Sequence, residues 1–456
     1  MNVFLKTSAS SVGLKKKRRE VKKSQQIRSY CFLFITIILL GITAVAQENE
    51  YEFSLDEFKK KAFSLDGYIE LRPSLNWLNQ DGSFYKLRYF DENERNLLEE
   101  GYLALLADLS YRKGIFETVL EPFLDYMVSP YESEAAIRLF QGYFSLKPSE
   151  SLAFYAGKRT LRWGKGYAWS PVALVERQKN PNEPDLAREG YWMITADYTK
   201  SYPGILKTVS LTPVVIPVSQ SINRDFSKKT GMNFAGKIYF LFLDTDIDLL
   251  FLTGNSQPLR LGMDFSRNLR SNWEIHGEVS FYKDLEQKVV LDNGSIHMEI
   301  TDPVRYLLGT RYLTEAETTY ILEYYHNGAG GDKVEFSDFY SFVDFGYARY
   351  ILSGDAGQIK QAAALSTYQG FTPMTDYLFL RIMQKDAFGV LYMTPAVTTI
   401  VNLLDGSASL APELTYKGLT NLELRLKAAI LLGGNGKEFG EKPNRWRVEL
   451  RARYFF

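Results

Sequence analysis

The sequence predicts an all-β fold: a single antiparallel transmembrane β-barrel of about 18 strands, between roughly 16 and 20, with short periplasmic turns and long outer loops. Three observations predict it. Apolar and charged residues alternate with period two in segment after segment. Short turn signals take turns with longer connections along the chain. The N-terminus carries an export pattern.

The export pattern comes first. Residues 15–28 include Lys15, Lys16, Lys17, Arg18, Arg19, Lys22, Lys23 and Arg28. An apolar run from Cys31 to Ala46 follows and ends Ala44-Val45-Ala46 before Gln47. A basic stretch, an apolar run and an A-x-A ending together read as a secretory signal peptide cleaved near Ala46/Gln47. The run is too short for a retained anchor, since a spanning helix needs about 20 residues. The expected organisation is a signal peptide over 1–46, a periplasmic N-terminal segment over 47–65 and the barrel over 66–456. Within 47–65, residues 52–62 read as a short amphipathic helix.

Charge and cysteine content narrow the class. Segment 1–46 holds nine of the 54 basic residues and one of the 54 acidic ones. The remainder carries 45 basic and 53 acidic residues, a net charge of −8. A nucleic-acid partner would need a basic footprint, so none is expected. The one cysteine, Cys31, lies in the signal, which leaves no disulfide or thiol chemistry and no lipid-bearing cysteine after the cleavage site. No second long apolar run exists, which excludes a polytopic helical membrane protein.

The strands are clearest at the C-terminus. Trp446, Val448, Leu450, Ala452, Tyr454 and Phe456 fall on one face, and Arg445, Arg447, Glu449, Arg451 and Arg453 on the other. Side chains of a strand alternate by two, so one face suits hydrocarbon and the other water. Leu422, Leu424, Leu426, Ala428 and Ile430 repeat the scheme against Glu423, Arg425 and Lys427. So do Trp273, Ile275, Val279 and Phe281 against Glu274, His276 and Glu278. Segments 258–266 and 117–126 follow suit. Charges at every second position cannot all be buried unpaired in a dry core; a polar lumen accommodates them.

Turn signals stand at Arg112-Lys113-Gly114, Lys147-Pro148-Ser149, Tyr202-Pro203-Gly204, Leu243-Asp244-Thr245-Asp246, Ser266-Arg267-Asn268, Thr314-Glu315-Ala316, Lys385-Asp386 and Lys417-Gly418. Longer connections lie near 79–96, 128–133, 164–189, 218–229, 284–302, 328–373 and 434–443. With the last strand running toward the periplasm, every long connection falls outside and every short turn inside, provided 328–373 is one outer loop. The count is then even, as a single-chain barrel requires. Ser83–Phe90 could add a hairpin arm, and Phe339–Ile351 a strand.

Lys158, Arg159, Arg162 and Lys165 concentrate positive charge at a strand end and loop start. Together with Arg425, Lys427, Arg447, Arg451 and Arg453 they are the candidate lumen or constriction residues, where a narrow polar passage focuses fields. The structural alternative is a plug, with arginines paired to lumen carboxylates. His276, His297 and His326 have no metal-ligand spacing, and no G-x-S-x-G signature is present; no catalytic residue, metal or cofactor is expected. Aromatics crowd 328–373, including Phe336, Phe339, Tyr340, Phe342, Phe345 and Tyr368, either as a glycan-facing surface or as helix packing inside the barrel mouth.

Gly157 to Pro171 (GKRTLRWGKGYAWSP), with Asn180 to Asp185 (NPNEPD), resembles a segment of poorly characterised porin-like outer-membrane β-barrel proteins of Gram-negative bacteria. Glu323 to Gly330 (EYYHNGAG) resembles a late strand-end motif of the same proteins, and 402–434 their penultimate hairpin. Phe456 matches the aromatic C-terminus that the barrel assembly machinery recognises. The resemblance implies architecture and a cell outer-membrane location, with outer-membrane lipid and that machinery as partners. The expected function is passive or solute-selective diffusion of small solutes through a charged lumen. The alternatives are a plugged barrel that binds surface polysaccharide and an outer-membrane enzyme.

Overall fold

The computed structural model describes residues 62–456. The signal peptide and nearly all of the expected helix at 52–62 lie outside the described residues. The described residues form twenty strands, of which the first ten are β1 Phe63–Leu78, β2 Leu97–Lys113, β3 Phe116–Val128, β4 Ser133–Ser149, β5 Leu152–Arg159, β6 Tyr191–Ser201, β7 Leu206–Val218, β8 Gly231–Phe242, β9 Thr245–Gly254 and β10 Arg260–Arg270. The second half comprises β11 Trp273–Tyr282, β12 Leu285–Val290, β13 Ile296–Thr301, β14 Val304–Leu313, β15 Thr318–Asn327, β16 Asp376–Gln384, β17 Met393–Asn402, β18 Ala408–Leu419, β19 Leu422–Leu432 and β20 Asn444–Phe455. Eighteen of them form one antiparallel sheet, and β12 and β13 form a separate hairpin.

The sheet closes on itself because β1 pairs with both β2 and β20. At this seam Gly67 and Phe456 exchange two backbone hydrogen bonds of 3.1 Å. A Cβ on Gly67 would stand 2.3 Å from the Leu106 carbonyl oxygen and 2.7 Å from the Phe456 ring, so the seam needs glycine there. Closure satisfies the edge strands, whose backbone groups would otherwise be unpaired in lipid.

The alternation resolves as an inside-out barrel. Leu426 is 51% exposed and Trp446 56%, while Arg425 and Arg451 are each 7% exposed. Leu261, Met263 and Val279 face outward, and Asp264, His276 and Glu278 are buried. A water-soluble sandwich would show the opposite.

Three turn signals fall short of the observed turns. Strand β4 runs on to Ser149, β10 to Arg270 and β18 to Leu419. Each signal coincides with a shift of register, between Leu146 and Ser149, Asn268 and Arg270, and Tyr416 and Leu419. The residues that read as turns therefore make bulges just before them, which polar residues, Pro and Gly also tolerate. The β8–β9 turn is at Leu243-Asp244, with φ of 50° and 56°, as a two-residue hairpin requires.

The outer connections carry the remaining elements. Ser83–Tyr89 is helix α1 rather than a hairpin arm. In the loop after β15, Lys333–Ser353 is helix α2 rather than a strand, followed by α3, Gly357–Ala363. The Asp332 side chain caps α2 by accepting from Val334 N at 2.8 Å and Glu335 N at 2.9 Å. Gly354 ends it at φ 74°, an ordinary helix stop. Segment 284–302, expected as a loop, holds the β12–β13 hairpin.

A charge placed mid-strand on the outer face tests the orientation. Leu426→Arg is expected to cost about 2–4 kcal/mol if Leu426 lies near the bilayer midplane, read as the change in unfolding free energy in lipid vesicles. An unchanged value would mean that this face does not meet hydrocarbon.

Candidate functional site: a lumen crossed by one loop

Residues 160–190, between β5 and β6, fold into the barrel. Four consecutive loop amides meet two wall carboxylates. Lys165 N and Gly166 N each donate to Glu278 Oε1 at 2.6 Å. Tyr167 N donates to Glu323 Oε1, and Ala168 N to Glu323 Oε2 at 2.9 Å. The second oxygen of Glu278 accepts from Ser170 Oγ at 3.0 Å and Val172 N at 3.2 Å. Successive backbone N–H groups turned to one side form an anion-binding concavity, and here the anions belong to the wall.

The glycines of the Trp163-Gly164-Lys165-Gly166 segment make this approach possible. Gly164 sits at φ 93°, and a Cβ there would lie 2.0 Å from Ser170 Oγ and 2.7 Å from Glu278 Oε1. A Cβ on Gly166 would lie 2.3 Å from the Trp169 carbonyl oxygen. Beside the concavity, Lys165 Nζ stands 3.0 Å from Asp248 and 3.7 Å from Asp264, both buried.

Farther along, the loop reaches another part of the wall. The Glu183 carboxylate accepts from Arg425 Nη1 at 2.8 Å, Arg425 Nη2 at 2.7 Å and Lys427 Nζ at 2.8 Å. Lys427 Nζ also donates to Asn182 O at 2.6 Å. Burial raises the Glu183 pKa, but Lys427 and Arg425 outweigh it and hold the carboxyl down to about 2. Glu278 and Glu323 come from β11 and β15, and Arg425 and Lys427 from β19. A loop leaving between β5 and β6 that touches all three strands crosses the lumen.

The candidate residues thus separate. Arg425 and Lys427 hold the loop. Arg451 pairs with Glu423 at 2.8 Å, Arg453 with Glu70 at 2.5 Å and Arg447 with Glu449 at 3.0 Å. Arg159 donates to Thr195 Oγ1 at 2.9 Å and lies 3.6 Å over the Tyr155 ring. Lys158 departs from the lumen expectation. It pairs across the sheet with Trp192, which is 40% exposed on the outer face. The one-residue step from Arg159 puts it on the other side of the strand. Arg162 is exposed and makes no hydrogen bond or ion pair with any described residue.

Beneath the loop lies a cavity of about 740 Å³, lined by Arg162, Lys179, Glu121, Glu274, His276 and Arg311 among others. Arg311, like Arg162, makes no hydrogen bond or ion pair with any described residue, although Arg162 lies close enough to Glu121 to act on its charge. Glu121 is on the third strand of the ring and Arg311 on the twelfth of 18, so they face each other across the lumen. Nothing along the chain signals that Glu278 and Glu323 meet 160–190, because those contacts span over a hundred residues, and Arg311 joins them only by lining the same cavity.

Above the loop the interior is apolar. Trp169 stacks on Tyr325 at 5.1 Å and meets Phe379 edge-on at 5.9 Å. Phe336, Phe339, Tyr340 and Phe342 of α2, with Tyr368, join the same cluster, and Phe339 stacks on Tyr368 at 4.0 Å. Phe84 of α1 packs 6.0 Å from Phe339. These rings are buried, so most of the crowd of aromatics is helix packing in the barrel mouth; Phe345, at 64% exposure, and Phe371, at 45%, are outside the cluster.

Fold, closure and register together define an outer-membrane β-barrel of the kind that porins form. Among solved structures, the chain is similar to the outer membrane protein OprD from Pseudomonas aeruginosa, with a TM-score of 0.52 and 11% identity over 87% of this chain and 94% of that one. It is likewise similar to OccAB1 of Acinetobacter baumannii, with a TM-score of 0.51 and 10% identity over 90% of this chain and 99% of that one. No family model and no curated protein matches the sequence. At such identity the likeness is one of fold.

Glu183 gives a pH prediction. A carboxyl with a depressed pKa contributes stability above its ordinary value near 4.3 and loses it as pH falls toward 2. A nitroxide on Asn180→Cys is expected to be immobile at pH 7 and to gain mobility progressively as pH drops from about 4 to about 2. Glu183→Gln is expected to release it already at pH 7, since breaking a buried ion pair costs about 3–5 kcal/mol. Equal mobility in both proteins at pH 7 would remove Glu183 as the tether.

Proposed function

We propose that the protein is a porin-like diffusion channel for small polar solutes, with its passage narrowed by the loop at 160–190. The observation that carries this reading is the cavity under the loop. Arg162 and Arg311 face it without a close ion pair to any described residue, and Glu121 and Glu274 face it as well. Most other lumen charges are spent on one another. The unspent ones would set a field across the passage and so decide which solutes enter. A polar, charge-lined cavity within an outer-membrane barrel supports this assignment.

A second reading, a barrel that does not conduct, is favoured by the aromatic cap and the tightly bound loop. Single-channel recording of the purified chain in a planar bilayer separates the two. Discrete conductance steps are expected. Arg162→Ala with Arg311→Ala should move the reversal potential in a salt gradient toward cations, since two positive charges leave the passage. Glu278→Ala with Glu323→Ala should raise the conductance by freeing the loop. A folded barrel without conductance steps would overturn the channel reading and leave the closed one, and an unmoved reversal potential would exclude Arg162 and Arg311 from the passage.

A further inference from the structure

Lys158 stands where a lysine needs a reason. The outward rung below it is apolar: Phe144, Ala156, Ile194, Val215 and Phe234 are cross-strand neighbours in sequence around the barrel. Phe144 is 69% exposed and Ile194 62%. One step up the same face, the rung holds Lys158 and Trp192. Charge on the lipid face is costly in hydrocarbon and nearly free at the interface, where tryptophan also collects. This rung therefore marks the level at which acyl chains give way to headgroups.

The loop between β7 and β8 is drawn down onto that rung. Asn223 accepts from Trp192 N at 2.9 Å and donates to Trp192 O at 2.7 Å and Pro217 O at 2.8 Å. It brings Arg224 and Asp225 over Trp192, into a cavity of about 390 Å³ shared with Lys158, Arg177 and Glu189. Three cations meet two carboxylates there. Glu189 takes Lys158 and, at 3.4 Å, Arg177, and Arg177 also pairs with Asp225. Arg224 is exposed and has no hydrogen bond or ion pair with any described residue.

We propose that this cavity seats the phosphate of an anionic lipid of the outer leaflet. The phosphate lies between Arg224 and Lys158, and the acyl chains run down the rung of Phe144, Ile194 and Phe234. Charge complementarity supplies the headgroup contact and the lipid belt supplies the rest, so the ligand is held at both ends. A free anion would use only the upper half. The site is on the outer wall, and it stands whether or not the lumen conducts.

The test uses the full chain in detergent micelles and native mass spectrometry. It is titrated with a bisphosphorylated glucosamine lipid, with phosphatidylethanolamine and with inorganic phosphate. The phosphorylated glycolipid is expected to stay bound and the zwitterionic lipid to be lost. Arg224→Glu with Lys158→Gln should weaken the glycolipid at least about tenfold, and Arg224→Lys should retain it. Arg224→Ala, which removes no internal contact, keeps the test valid if the double variant fails to fold; it too should weaken binding. Unchanged binding in Arg224→Ala would overturn the proposal. Displacement of the lipid by an equal concentration of inorganic phosphate would overturn it as well, by showing a site for the free anion.

Discussion

The interior of this barrel depends on what Glu278 and Glu323 do with their charge. Each is almost completely removed from water, where an unpaired carboxylate would be prohibitively expensive. Each instead accepts backbone N–H groups from the same short stretch of loop. The bargain is mutual. The loop's amides, which have no strand partner inside the lumen, are satisfied by the wall, and the wall's buried charges are satisfied by the loop. Neither could be buried alone, so the loop and the two strands are fixed together.

The same logic governs the rest of the lumen. A barrel in lipid must turn its polar face inward, and that face brings arginines and carboxylates within a few ångströms of each other on adjacent strands. Arg453 with Glu70 and Arg451 with Glu423 are the result, and Arg381 of β16 reaches Glu413 of β18 across the strand between them. Such pairs cancel locally and contribute little field to the passage. What distinguishes one part of the wall from another is therefore the charge left over, and among the described residues Arg162 and Arg311 stand out in that respect.

The architecture was legible because it is written locally. Period-two alternation and the spacing of turns need only a window of about ten residues, and they set the strand number and the sense of each face. The misplacements were local too: polar residues, Pro148 and Gly418 read as turns but make bulges, and Lys158 was grouped with Arg159 although the strand sends consecutive side chains to opposite faces. The site was only half legible. Period-two alternation puts Arg425 and Lys427 on one face of their strand with Glu423, while the close approach that Gly164 and Gly166 allow appears only in the folded chain. Their partners were not visible, because Glu183 and Glu278 reach them across the barrel rather than along the chain. Helix α1 escaped for a related reason, and α2 was legible only as one of two readings of the aromatics in 328–373: their buried rings face a core that exists only once the wall surrounds it.

The tether at Glu183 also links the loop to the closure of the wall. Its cage is made by Arg425 and Lys427 of β19, with Arg451 of β20 at 3.9 Å behind, and these strands lead into the seam with β1. The loop lies some 240 residues away along the chain. The residues that anchor it thus belong to the same hairpin that joins the ends of the sheet, so a change that loosens the seam also loosens the constriction.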